Sequence, residues 1–110
     1  MTAINDLVGL RNTLREFAEE RDWRPYHTPK NLAMAMIVEA AELVEHFQWL
    51  TPEQSQTLPA DKLLAVRDEV ADTLIYLVEL ADVLGIDLIS AARDKIAKNG
   101  IKYPAPERQP

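Results

Sequence analysis

Apolar positions recur three and four residues apart over long stretches of this 110-residue chain, and the breaks between those stretches are few. That spacing is the signature of amphipathic helices. Leu7, Leu10, Leu14 and Phe17 make one stripe, which predicts a first helix from about Ile4 to Glu20. "RDWRPYHTP" interrupts it with two prolines and a group of aromatics, and Thr28 then offers an N-cap to a second helix that starts at Pro29 and runs to about Trp49. "TPEQ" repeats the device, with Thr51 as cap, Pro52 at the first helical position and Gln54 as capping-box partner, so a short helical turn is expected there. Beyond Pro59, a third long helix should span Ala60 to about Leu84, stopped by Gly85, and Asp87 should cap a last helix to about Asn99. The expected fold is all-α, a four-helix bundle type, with one domain over residues 1–104 and a flexible proline-rich tail over 105–110.

Composition narrows the function without naming it. Hydrophobic residues at 47% and charged residues at 27% fit an ordinary globular domain, and runs such as "LAMAMIV" are far too short to cross a bilayer. The absence of cysteine removes disulfides and thiolate metal sites. The opening "MTAINDLVGL" lacks a basic region and a continuous apolar run, so a cytoplasmic location is expected. A formal net charge of −6, with no basic stripe, argues against nucleic acid as a partner; a phosphate-bearing ligand would need a bridging cation.

Such a cation has an obvious place. On a helical wheel, Glu39 and Glu42 lie one turn apart beside an apolar arc formed by Leu32, Met36, Leu43 and Phe47. Glu69 and Asp72 take the same position beside Val66, Val70 and Leu77 on the third helix. Each pair alone is what a solvated helix face carries. Two such pairs on helices joined by a short connection can meet along one seam, where four carboxylates repel one another unless a cation lies between them. An all-oxygen donor set favours magnesium, with manganese as the other fit, and magnesium is commonly shared between carboxylates and substrate phosphates. Trp23, Tyr26, His27 and Trp49 provide flat faces for a base, although aromatics at helix ends also pack on cores. Lys95, Asn99, Lys102 and Tyr103 offer groups for phosphates at the end of the last helix, where basic residues also complement the helix dipole.

"EAAE" at 39–42 with "EVAD" at 69–72 resembles the E-x-x-E and E-x-x-D pair of the MazG-like, all-α nucleotide pyrophosphohydrolases. "FAEERDW", "HTPKNLAMAM", "FQW" and "KYP", in that order, resemble the dCTP pyrophosphatase branch. The resemblance runs from about Leu14 to Pro104 and implies a magnesium-dependent enzyme that cuts a nucleoside triphosphate, dCTP or a modified dCTP, between the α and β phosphates. It implies Glu39, Glu42, Glu69 and Asp72 as metal ligands, with water attacking the α-phosphorus directly. Trp23 and Trp49 would sandwich the base and His27 would touch it; Asn31 belongs to the same motif set. Tyr76, Lys95, Asn99, Lys102 and Tyr103 would hold sugar or phosphates, and the assembly would be a homodimer or homotetramer. Gly100, Ile101 and Lys102 stand where mammalian-type members carry arginines, which bears on substrate range rather than reaction type. A nucleotide-binding regulator without turnover and a helical interaction module are the competing readings.

Overall fold

The computed structural model describes residues 3–108, and it is helical throughout that range, with no strand among the described residues. The expectations for residues 1, 2, 109 and 110, at the ends of the expected domain and tail, lie outside them. Helix α1 covers Leu7–Glu20, α2 Pro29–Glu45, α3 Pro52–Ser55, α4 Ala60–Val83 and α5 Leu88–Lys102, with one 3-10 turn at Arg24–Tyr26.

Local chemistry sets the ends. Helix α1 starts three residues later than its apolar stripe suggested, because the Asp6 carboxylate accepts a hydrogen bond from the Gly9 amide at 2.7 Å and so fixes the first turn. It closes in a Schellman turn: the Trp23 amide reaches the Ala18 carbonyl and the Asp22 amide that of Glu19, with Asp22 at φ 54°. Asp is among the few side chains that tolerate this left-handed position. Thr28 and Thr51 cap as expected, and the full capping box forms at Thr51 and Gln54. Helix α2 ends at Glu45 rather than Trp49, since the amides of His46 and Phe47 bond three residues back and tighten the chain into turns. A second Schellman turn, Ile86 to Ala81 and Gly85 to Asp82 with Gly85 at φ 67°, ends α4. Helix α5 runs through Gly100 and stops at Lys102, because Pro104 disfavours a helical conformation at Tyr103, which sits at φ −126° and ψ 72°.

Packing is concentrated on one helix. Helix α2 lies along α4, and α1 packs on α4 more sparingly. The buried core is small: Ala18, Leu32, Val66, Val78 and Ala81. Helix α5 is exposed along its length apart from half-buried Leu88, and residues 104–108 are exposed coil. The radius of gyration is 17.6 Å, against about 13 Å for a compact chain of this length. One chain thus supplies the four long helices expected of a bundle and closes only three of them onto each other.

Candidate functional site

The α2–α4 seam is where the paired carboxylates arrive. One oxygen from each of Glu39, Glu69 and Asp72 lies within 4.8 Å of the others, an arrangement able to hold a metal ion. Glu42, one turn along α2 from Glu39, is the fourth member, close enough for its charge and hydrogen bonding to act on both Glu39 and Glu69. The Glu39 carboxyl is pushed up to about 7, first by a proton held between it and Glu69, then by burial and by the charges of Glu42 and Asp72. Burial leads in raising Glu69, the hydrogen bond with Glu39 opposes it, and Glu42 and Asp72 add to the rise. Glu69 Oε2 is fully buried without any hydrogen-bond donor. A buried acceptor of this kind, facing other carboxylates, fits a hard cation that takes oxygen ligands.

Farther along α4, Tyr76 stands between two sources of negative charge. Its hydroxyl is pushed up by burial and then by Glu39, Glu79 and Asp72. Glu69, Asp72, Tyr76 and Glu79 are spaced three, four and three apart, which keeps them on one helical face. Glu79 faces the loop before α2: His27 Nδ1 lies 3.7 Å from Glu79 Oε2, beyond hydrogen-bonding distance, and that oxygen too is buried without a donor. The pattern of residues had not singled out Glu79; its register with Glu69 and Asp72 is the signal that was available.

The Schellman turn after α1 folds Trp23 back toward the helix it follows. Its ring meets Phe17 edge-on at 5.5 Å between centroids and lies 6.2 Å from the His27 ring. Arg21 sits 3.4 Å above the Phe17 ring. Asn31 spends its side-chain amide on the Tyr26 carbonyl at 2.9 Å, tying the aromatic loop to the first turn of α2. Beside this loop a cavity of about 440 Å³ opens between α1 and α4, lined by His27 and Glu79 and by none of the four cluster carboxylates.

The remaining expected residues are not gathered here within one chain. Trp49 is 87% exposed beyond the end of α2. Lys95, Asn99 and Lys102 are exposed on α5, and Tyr103 follows them, with Lys102 Nζ 5.2 Å from its ring. Helix α5 makes no extensive packing with any other described helix, so no such packing among the described residues carries these groups to the seam.

Residues 34–109 match the model of the MazG-like family. The chain belongs to the MazG-like family. Its all-α fold and the resemblance read from "EAAE" and "EVAD" agree with that membership. The chain is 40% identical over 100 residues to dCTP pyrophosphatase 1 of Mus musculus, and 41% identical over 102 residues to dCTP pyrophosphatase 1 of Homo sapiens. These matches cover 89% and 90% of the chain, and the chain spans 59% of the length of each relative. A crystal structure of a pyrophosphatase from Archaeoglobus fulgidus DSM 4304 superposes with a TM-score of 0.74 at 40% identity, covering 96% of this chain and 98% of that one. No helix among the described residues is long and apolar enough to cross a membrane.

Proposed function

We propose that this chain is a divalent-metal-dependent pyrophosphohydrolase that converts a nucleoside triphosphate, dCTP or a modified dCTP, to the monophosphate and pyrophosphate. The observation that carries the reading is the α2–α4 cluster, in which Glu69 Oε2 is buried with no donor and Glu39 is driven up to about 7 by its neighbours. Carboxylates held this way are destabilised unless charge is supplied to them. The similarity to dCTP pyrophosphatase 1 over nine-tenths of the chain supports the substrate class.

In this reading Glu39, Glu42, Glu69 and Asp72 hold the ion, magnesium first and manganese second. A bound divalent ion neutralises charge on phosphate oxygens and lowers the pKa of coordinated water. The chain's own residues do the rest. The packed seam keeps the four carboxylates fixed on two helices, so their positions are set before substrate arrives. Trp23 and His27 receive the base side, with Trp49 as the second stacking face, and Tyr76 stands between base and phosphates. Lys95, Asn99, Lys102 and Tyr103 grip the triphosphate.

That last group requires a second copy of the chain, and we assign the protein a homodimeric or homotetrameric assembly. Isolated, the chain leaves Ile96 and Ile101 on α5 and Tyr103 just after it at 70%, 84% and 68% exposure, and its radius of gyration exceeds that of a compact monomer. The decisive assay is pyrophosphate release from a panel of deoxy- and ribonucleoside triphosphates, with and without Mg²⁺. Release from dCTP only with the metal is the expected result. Tight nucleotide binding with no release under either condition would replace this reading with a regulatory one.

A further inference from the structure

The cavity between α1 and α4 is lined by Glu79, whose Oε2 has no hydrogen-bond partner among the described residues. Its walls are partly apolar, from Leu14, Ala18 and Val78, and at about 440 Å³ it is within the range of small-ligand pockets. Three arginines line it, but all are engaged: Arg15 forks onto Asp82, Arg24 reaches Glu19 at 2.8 Å, and Arg11 reaches the Asn12 side chain. The cavity is therefore not waiting for an anion. What it lacks is a donor, because Glu79 Oε2 is buried without one and His27, at 3.7 Å, stands too far to supply it.

Position relates this atom to the carboxylate cluster. Seven residues separate Asp72 from Glu79 on the same face of α4, a rise of about 10 Å. That is close to the span from the α-phosphorus of a nucleotide to the far edge of its base. Tyr76, within electrostatic reach of both ends, fills the interval.

Resting on the pyrophosphohydrolase reading above, we propose that Glu79 is a specificity-determining residue, which accepts a hydrogen bond from the exocyclic amino group of the substrate base. Cytosine presents an amino group at the place where thymine and uracil present a carbonyl oxygen. An amino group satisfies the buried carboxylate oxygen, whereas a carbonyl there sets acceptor against acceptor. The discrimination therefore comes from rejecting the keto pyrimidines as much as from gripping cytosine.

The test measures kcat/KM for dCTP and dTTP with Mg²⁺ in the wild-type chain, Glu79→Gln and Glu79→Ala. The wild type should prefer dCTP, and both variants should shrink the dCTP-to-dTTP ratio by about tenfold or more. Glu79→Gln should gain on dTTP, since its amide can donate to the carbonyl, and Glu79→Ala should lose chiefly on dCTP. Removing an unsatisfied buried carboxylate costs the fold little, so both variants should melt no lower than the wild type. An unchanged ratio in two folded variants, or no wild-type preference at all, would overturn the role of Glu79 while leaving the hydrolase reading standing. A wild-type chain that turns over no nucleotide would remove the hydrolase reading and this proposal together.

Discussion

The α2–α4 seam and helix α5 are built from similar material and end in opposite states. Both carry isoleucines and leucines at helical spacing beside charged residues. In the seam, the apolar positions bury Leu32, Val66 and Val78, and that packing fixes three carboxylate oxygens within 4.8 Å of one another. In α5, the apolar positions beyond half-buried Leu88 face solvent, and Lys95, Asn99 and Lys102 are exposed on a helix that packs extensively on no other described helix. Identical local chemistry thus yields a finished half-site where a neighbouring helix exists within the chain, and an unfinished one where it does not. The acidic half of the proposed centre is intramolecular, and in the proposed assembly the basic half comes from a second copy.

The seam is broken most completely by removing a ligand. Glu39→Gln and Glu69→Gln should each lower kcat for dCTP by a thousandfold or more, on the scale of losing a principal electrostatic element, while far-UV circular dichroism stays unchanged. Glu42→Gln should behave in the same way. Breaking the other region needs no change at the seam: Ile101→Glu on α5 should shift sedimentation to a smaller species and cut turnover at least tenfold, with little change in helix content. If α5 were merely a solvated appendage, this substitution at an 84% exposed position would alter neither.

Proton linkage sharpens the comparison, because only the seam carries a strongly raised carboxyl. Glu39 binds its proton more tightly folded, at about 7, than unfolded, at the ordinary value of 4.5. Between those values the folded state holds more protons, so the stability of the metal-free protein should fall as pH rises from about 4.5 to about 7. Mg²⁺ should raise the melting temperature at pH 7.5 and do little at pH 5, and a Glu39→Gln variant should show neither effect at the seam. The smallest expected effect lies at the junction of the two regions. Gly85, at φ 67°, turns the chain from α4 into α5, and Gly85→Ala should cost about 1 kcal/mol in chemical denaturation through backbone strain alone, since a Cβ there meets no neighbouring atom.

Much of this arrangement was legible in the residues. Thr28–Pro29, Thr51–Pro52 and Gly85 marked helix ends because caps and left-handed stops are local events. The two acidic pairs were legible because a helix puts residues three apart on one face. Other features depended on partners distant in sequence. The end of α5, expected near Asn99, falls at Lys102, before Pro104. Glu79 looked like one more surface charge until the fold set it against His27, 52 residues earlier in the chain. The failure of α5 to pack had no signature at all, since its stripe resembles that of any bundle helix and only the placement of the other helices leaves it uncovered.

The direct measurement is Mn²⁺ titration of the nucleotide-free protein, followed by loss of the free-ion electron paramagnetic resonance signal, in the wild type and in Glu69→Gln. Saturable binding in the wild type, competed by Mg²⁺ and lost in the folded variant, is the predicted result. Equal binding by both proteins, or none by the wild type with or without dCMP present, would contradict a cation centre on the α2–α4 seam.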